Sequence, residues 1–397
     1  MTIFTTNGLI FKKGIYFKLP STIYINGRFL TQPSTGVQRY AREIVAHFDS
    51  LLENNSFAHE VCIRCLVPRG TARNTSWKNI TMEEVGVNRG NLWEQIDLPL
   101  HLKGGFLFSP ANTGPFLYQN QAVTFHDASI FAIPHAYSFL FRLKYKLIFR
   151  SLSRLAKVIF TDSEFSQTEL SRYLKQPSEK FKVVHLAGDH IDRIQPDTHI
   201  LSKHNLSKDK YVFMVGSQSP HKNLATVRNA VELIKSDIKV VFAGGQYQKV
   251  FAKEIVRGTT KNIIVLGYIT DEELKALYLN ALGYIFPSYY EGFGLPILEA
   301  MHCGCPVLCA RAASLPEVAG EAALFFDPMK ASDIAQTIDN IFLDQQLRND
   351  LIQKGYRRAK EFGWQTTAHK TIDTLLSGIK LTDENRTDLS ESRFLFP

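Results

Sequence analysis

No stretch of the 397-residue chain approaches 18 consecutive apolar residues, so the sequence offers no helix that would cross a bilayer. The N-terminus does not read as a secretory leader either. Lys12, Lys13 and Lys18 interrupt MTIFTTNGLIFKKGIYFKLP where an unbroken apolar segment would be needed. No self-similarity recurs at a period of about 20–50 residues, which excludes a solenoid. No GxGxxG follows a first strand, which argues against a nicotinamide-dependent dehydrogenase. No Asp-x-Asp pair occurs, so no paired carboxylates are offered to a divalent cation. Cysteine is sparse, with five residues. Cys62 and Cys65 have CxxC spacing, but VCIRCLV reads as a buried strand and no second pair follows. Cys303, Cys305 and Cys309 straddle a helix end and a strand. These are expected to be reduced structural thiols, as in a cytoplasmic protein, rather than a zinc site or a disulfide framework.

What is present describes a globular chain. Hydrophobic residues make up 45% and charged residues 21%, and the length suits two domains. The formal net charge of +8 is unevenly placed. Residues 1–200 hold 23 Lys/Arg against 16 Asp/Glu, and the remainder holds 23 against 22. The basic first half could attract phosphates or an anionic membrane. Nucleic acid is not expected, because no nucleic-acid module is recognisable and the basic excess is modest.

Short β-branched runs alternate with helical segments. TIYING (22–27), HEVCIRCLV (59–67), GFLFSP (105–110), QAVTFHD (121–127), KVIFTDS (157–163) and KFKVVHLAG (180–188) read as strands. A helix is expected from Gly36 to Leu52, another over 137–156, and a third over 164–174 with Ser163 as its N-cap. Residues 188–209 are polar and lack a period. The alternation then restarts with YVFMVGS (211–217), IKVVFAGG (238–245), NIIVLGY (262–268), GYIFPS (283–288), CPVLCA (305–310) and AALFFDP (322–328). The pattern predicts two α/β, doubly wound parallel-sheet domains. The expected division is an N-terminal extension (1–21), a first domain (22–190), a linker (191–209), a second domain (210–375) and a C-terminal tail (376–397). The extension is expected to be a poorly ordered leader or an extra strand. A helical run from Ser332 to Leu376 should precede frayed residues 381–397. Two such domains form a cleft where the carboxyl ends of both sheets meet, which is where ligands bind in these folds.

The segment from Pro287 to Ala300 carries the most chemistry. A strand ends at Pro287, a glycine loop follows, Pro296 sits near a helix start, and Gly304 can stop that helix. Free amides at a helix N-terminus beside a strand's carboxyl edge suit a phosphate. Gly292 and Gly294 allow close backbone approach. Glu291 lies in the loop and Glu299 in the second helical turn, and carboxylates accept hydrogen bonds from sugar or ribose hydroxyls. Spacing alone also fits an ordinary βα loop with two solvated glutamates.

Glu291 and Glu299, with seven residues between them, reproduce the E-x7-E signature of retaining glycosyltransferases of family 4. EGFGLPILEAMHCGCPV (291–307) resembles that family throughout. So do SLPEVAG (314–320), LGYITDEELKALYLNA (266–281), VGSQSPHKNL (215–224), VTFHD (123–127) and TGVQRYAREI (35–44). The resemblance runs from about residue 22 to 375. It implies a GT-B fold, two Rossmann-like domains facing across a cleft with a helical tail that returns to the first. The C-terminal domain would hold a nucleotide-sugar and the N-terminal domain the acceptor. By the same resemblance, Glu299 binds the nucleotide ribose and Glu291 lies beside the transferred sugar and the phosphates. The backbone of Phe293, Gly294 and Leu295 contacts sugar or diphosphate, with Gly292 in the same loop. Lys222 matches the phosphate-binding lysine, where positive charge on a leaving diphosphate lowers the barrier. His221 and Ser217 stand where many relatives carry arginine, so another basic residue would have to assist. His126 and Asp127 end a strand and would face the donor sugar, the histidine stabilising positive charge there. Capping of the following helix is the plainer reading of that pair. Gly36 opens the first helix, where close approach to the donor phosphates is implied. Arg39 and Arg42 on that helix read as solvated or structural.

The resemblance implies a retaining, metal-independent hexosyltransferase that needs no cofactor. It would move sugar from a nucleotide diphosphate to a hydroxyl of a glycan, lipid-linked, in surface polysaccharide, lipopolysaccharide or capsule synthesis. UDP-glucose, UDP-N-acetylglucosamine and GDP-mannose all fit, with a lean towards mannosyl transfer. A GT-B epimerase or phosphorylase and a non-catalytic glycan-binding protein are the alternatives. Residues 138–157, with Arg142, Lys144, Lys146, Arg150, Arg154 and Lys157 and no acid, read as a helix on an anionic membrane or as one packed on the sheet with a basic outer face. A cytoplasmic protein, peripheral on the inner face of the membrane, is the expected location.

Overall fold

The computed structural model describes the backbone of all residues except 1–4, 7–8, 13–14, 19–20, 54–60, 73–74, 218, 246–261 and 392–397. Ahead of the first domain, β1 (Thr5–Thr6), β2 (Leu9–Lys12) and β3 (Ile15–Lys18) form a small antiparallel sheet. The first domain holds β4 (Ser21–Asn26), β5 (Val61–Pro68), β6 (Thr81–Val85), β7 (Phe106–Ser109), β8 (Gln121–Thr124), β9 (Val158–Thr161) and β10 (Phe181–Val183). They form one parallel sheet in the order β10-β9-β8-β7-β4-β5-β6. The second domain holds β11 (Tyr211–Val215), β12 (Lys239–Ala243), β13 (Ile263–Gly267), β14 (Gly283–Phe286), β15 (Val307–Ala310) and β16 (Ala323–Phe326). Their order, β13-β12-β11-β14-β15-β16, is the doubly wound 3-2-1-4-5-6 arrangement, and the first six strands of the other sheet follow it too.

The central strands are apolar on both faces because helices cover both. All four residues of each of β7, β8, β9, β14 and β15 are buried. β6 (TMEEV) has no such signature and is absent from the strands read from the sequence. It is an edge strand with a wet face, where Glu83 pairs with Arg64 of β5 at 2.9 Å. Ser163 caps the Glu164–Leu174 helix as its residue type dictates, accepting from the Ser166 amide at 3.0 Å. The polar segment after β10 is not featureless. It contains a 3-10 turn, Asp189–Arg193, and a short helix, His199–Lys203.

The C-terminal helices are Ala331–Leu343, Gln345–Ala359 and Trp364–Glu391. The last one crosses back to the first domain. A Cβ on its Gly378 would lie 3.1 Å from Val158 of β9 and 3.6 Å from Phe106 of β7. The helix therefore belongs to the first domain's packing from Trp364 onwards, and it continues to Glu391 where fraying was expected from 381; residues 392–397 lie outside the described set. Cys65, Cys303, Cys305 and Cys309 are buried free thiols, each pushed up by desolvation.

Candidate active site

Both sheets change direction between their first and fourth strands, β4 and β7 in one and β11 and β14 in the other. The loop after β8 meets the loop after β14 between the domains, and the loop after β11 joins it, the Tyr289 amide donating to the His221 carbonyl at 3.1 Å. After β14 the chain runs through Glu291-Gly292-Phe293-Gly294 into the Leu295–His302 helix, with Pro296 in its first turn. Gly294 is the N-cap at φ +109, a backbone conformation that only glycine adopts without strain. Pro296 has no N–H, and the Ile297 amide turns back to the Gly294 carbonyl at 2.9 Å. Amides available to an anion therefore come from the loop itself. Ser314 fixes that loop, its hydroxyl lying 3.0 Å from the Glu291 carbonyl and 2.9 Å from the Phe293 carbonyl. The Phe293 side chain is core, packed against His185 and Phe362, so only its backbone can serve a ligand. Leu295 is buried as well.

After β11, the 3-10 turn Pro220–Lys222 carries Lys222 to the same edge. Its Nζ lies 2.5 Å from Glu291 Oε1 and over the ring of Phe286. His221 is half-buried beside it, within the field of Glu291, Lys222, Asp127 and His135. Burial holds its imidazole below the usual range, and its Nδ1 has no hydrogen-bond partner among the described residues. Ser217 is exposed and bonds Ser219 at 3.1 Å.

His126 and Asp127 follow β8 and come up against Gly292 from the other domain. A Cβ on Gly292 would lie 2.2 Å from the His126 carbonyl oxygen and 2.8 Å from Asp127 Cβ. The His126 ring, expected to face a donor sugar, is instead held inside the first domain. Its Nδ1 lies 2.7 Å from Asp162 Oδ2, its Nε2 lies 3.0 Å from the Pro110 carbonyl, and Tyr40 packs edge-on against it. A carbonyl only accepts, so Nε2 carries a proton, and a second proton lies between Nδ1 and Asp162. Burial works against charge on the ring, but the adjacent Asp162 carboxylate outweighs it and raises the histidine. What His126 turns to the other domain is its carbonyl. Asp127 uses one carboxylate oxygen to accept from the Ser129 amide at 2.7 Å, which is the capping role its position also allowed.

Glu299 sits apart, buried on the inner face of its helix. Its two oxygens accept from His190 Nε2 and the Tyr278 hydroxyl, both at 3.1 Å. Burial alone would raise this carboxyl, but those hydrogen bonds and the nearby Arg39 guanidinium hold it below the usual range. Arg39, from the Gly36–Glu53 helix, ion-pairs with Asp271 of the second domain; it bridges the domains and is not merely solvated. Gly36 is exposed at the start of that helix, and a Cβ there would meet nothing within 4 Å among the described residues. The structure thus brings Lys222, Glu291, Gly292, His126 and Asp127 together, and sets Glu299 in a cluster of its own.

Ser163, Ser166, His185 and Glu317 make further interdomain contacts that the sequence did not announce, although Ser163 was legible as a helix cap and Glu317 as part of SLPEVAG. The Ser163 and Ser166 hydroxyls reach the Gly292 carbonyl at 2.6 and 3.0 Å. Glu317, inside SLPEVAG, accepts from the Glu164 and Phe165 amides at 2.9 and 3.1 Å. A carboxylate from one domain thereby caps a helix of the other, where the helix dipole favours it. Its third partner, His185 Nε2, lies 3.1 Å away.

The family model described as Glycosyl transferases group 1 matches residues 197–358. The O-antigen chain mannosyltransferase B of Escherichia coli is 35% identical over 271 residues, covering 65% of this chain and 71% of that protein. Among solved structures, sucrose-phosphate synthase of Thermosynechococcus elongatus superposes with a TM-score of 0.71 at 16% identity, covering 91% of this chain and all of that one. WaaG, a glycosyltransferase involved in lipopolysaccharide biosynthesis, superposes with a TM-score of 0.67 at 15% identity, covering 89% and 99%. The GT-B architecture expected from the sequence is the one the chain adopts.

Proposed function

The chain belongs to the group 1 glycosyl transferases, and we propose that it is a retaining, metal-independent hexosyltransferase of family 4. The transferred sugar would be mannose, from GDP-mannose, and the acceptor a hydroxyl of a lipid-linked surface glycan. The observation that carries this reading is the Lys222–Glu291 pair, set in a glycine loop at the switch point of the second sheet, opposite the His126 carbonyl. The mannosyl assignment draws on the 35% identical O-antigen enzyme.

In this reading Glu299 accepts from the ribose and Lys222 holds the diphosphate, helped by amides of Gly292, Phe293, Gly294 and Leu295. Gly36 lets the first domain's helix approach the phosphates from the other side. The acceptor oxygen attacks the anomeric carbon on the face the diphosphate leaves. The carbon–oxygen bond to phosphate breaks, and the acceptor's proton passes to the departing phosphate oxygen. Glu291 and Asp127 flank the transferred sugar, and the His126 carbonyl presents a negative dipole to the developing positive charge. Lysine and backbone amides supply the positive charge that a metal would otherwise provide.

The test is a donor screen with GDP-, UDP-, ADP- and dTDP-sugars in EDTA, reading thermal shift and product. A ligand at a hundredfold excess over its Kd stabilises by about 2.7 kcal/mol. GDP-mannose should give the shift and the turnover, undiminished by EDTA, and Glu299→Ala should lose the shift. Turnover that requires added Mn²⁺ or Mg²⁺ would refute metal independence, and a shift with another nucleotide alone would refute the donor.

The acceptor's membrane bears on the Phe139–Leu155 helix. Its inner side packs Ile148, Phe149 and Leu152 into the core. Phe139, Leu140 and Leu147 stand exposed among Arg142, Lys144, Lys146 and Arg150, and Leu117 is exposed in the 116–117 loop that Ser151 ties to the helix through the Phe116 carbonyl. Apolar side chains interleaved with cations match an anionic lipid surface. No helix among the described residues is long and apolar enough to cross a membrane. Vesicles containing anionic phosphatidylglycerol should bind the protein, vesicles of phosphatidylcholine alone should not, and Leu140→Glu with Leu147→Glu should abolish binding. Equal binding to both vesicle types would refute the electrostatic part.

A further inference from the structure

Trp364 Nε1 lies 3.2 Å from His190 Nδ1, and His190 Nε2 lies 3.1 Å from Glu299 Oε1. All three side chains are buried. An indole N–H can only donate, so His190 Nδ1 must be the acceptor. The ring's single proton therefore sits on Nε2 and points at the carboxylate. The tryptophan fixes the tautomer of the histidine, and the histidine fixes one oxygen of the glutamate. Tyr278 fixes the other oxygen at 3.1 Å.

The backbone is built to bring these residues together. Gly188 lets the chain leaving the first sheet lie against the Leu295–His302 helix: a Cβ there would come within 2.7 Å of Leu298 and 2.9 Å of the Glu299 amide. His190 follows two residues later in the 3-10 turn. The Asp189 carboxylate accepts from the Trp364 amide at 3.2 Å, so both crossings between the domains are stapled at one point. Trp364 also packs against Tyr40, which packs against His126.

A carboxylate with two internal donors still has lone pairs to offer. A buried carboxylate is expensive to keep, and an apolar side chain of similar size would often be no less stable. Three donor-bearing side chains from three segments are used to hold this one. We infer that His190 and Trp364 are positioning residues that fix the Glu299 carboxylate as a preset acceptor for the nucleotide's ribose hydroxyls. They would thereby make nucleotide affinity depend on the docking of the last helix. The inference rests on the ribose role of Glu299 proposed above.

The test measures GDP binding by calorimetry, with UDP in parallel, and steady-state turnover, on the full chain. Trp364→Phe keeps an aromatic ring in the site and removes the N–H together with part of the indole. His190→Leu removes both hydrogen bonds, whereas His190→Gln can accept from the indole and donate to Glu299. Trp364→Phe, which frees the histidine to turn, and His190→Leu, which removes it, should each weaken nucleotide binding about tenfold, the worth of the one hydrogen bond to the Glu299 carboxylate. KM for donor should rise with them, kcat at saturating donor should stay within about threefold, and His190→Gln should recover most of the affinity. Wild-type affinity in Trp364→Phe and His190→Leu, with Glu299→Ala deficient, would overturn the inference and leave the ribose role standing. Undiminished binding by Glu299→Ala would overturn both. A fall in kcat with unchanged KM, or failure of His190→Gln to rescue, would assign the pair to folding alone and overturn the positioning role.

Discussion

Replacing Gly292 with alanine should lower turnover by about a hundredfold while leaving the protein folded. The cause is contact rather than backbone conformation, since Gly292 is not among the residues with positive φ. An added methyl would sit 2.2 Å from the His126 carbonyl oxygen and 2.8 Å from Asp127 Cβ. Neither is the loose end of a flexible side chain. His126 is fixed by Asp162, Pro110 and the Asn112 side chain that accepts from its amide at 2.9 Å. The Gly292 carbonyl is fixed by Ser163 and Ser166. The strain is relieved most easily by parting the domains by about 1 Å, a displacement that can cost two orders of magnitude when reacting groups lie on opposite sides. Each sheet keeps its own strand pairing, so the melting temperature should move little. Steady-state kcat beside a melting curve checks this, and turnover close to wild type would mean that chemistry does not require this degree of closure.

The contrast between Gly292 and Glu299 marks what a sequence can reveal. The strand ends, Pro296, Gly294 and the Ser163 cap follow local rules, in which residue type and neighbours a few positions away decide the backbone. The parallel sheets were legible for the same reason, because strands buried on both faces are apolar throughout. β6 escaped because an edge strand with one wet face needs no such run. The position of Glu299 was legible through its spacing from Glu291, but its surroundings were not. His190 and Trp364 lie 109 and 65 residues away in a segment that reads as a polar linker and in a tail, and no periodicity announces a pairing of that range. The His126 ring misled in the same way. A histidine at a strand's carboxyl edge reads as a group facing ligand, yet Asp162, at the end of the neighbouring strand, draws it inward. The interdomain contacts of Ser163, Ser166 and Glu317 likewise exist only once two independently legible domains are set face to face.

Lys222→Met should reduce kcat by about 10²–10³-fold, the range found when one preorganised group that stabilises transition-state charge is removed. Methionine keeps an unbranched stem of similar length and removes the ammonium, with its place over the Phe286 ring, so the loss isolates the charge. The resting pair with Glu291 shapes the rest of the expectation. Both side chains are mostly shielded, and the lysine must share or exchange the carboxylate when a diphosphate arrives. Glu291→Gln should free the lysine and tighten binding of the bare nucleoside diphosphate, yet lower turnover, because the carboxylate beside the sugar is gone. The double variant should be little worse in kcat than Lys222→Met alone, since residues that act as a unit are not additive. Lys222→Arg restores charge but not the compact ammonium, and a planar guanidinium at the same site would recover only part of the rate. Pre-steady-state measurement separates chemistry from nucleotide release. If Lys222→Met instead slowed release or raised KM with chemistry unchanged, the lysine would be serving ground-state binding, and the charge on the leaving group would have to come from the loop amides or from His221.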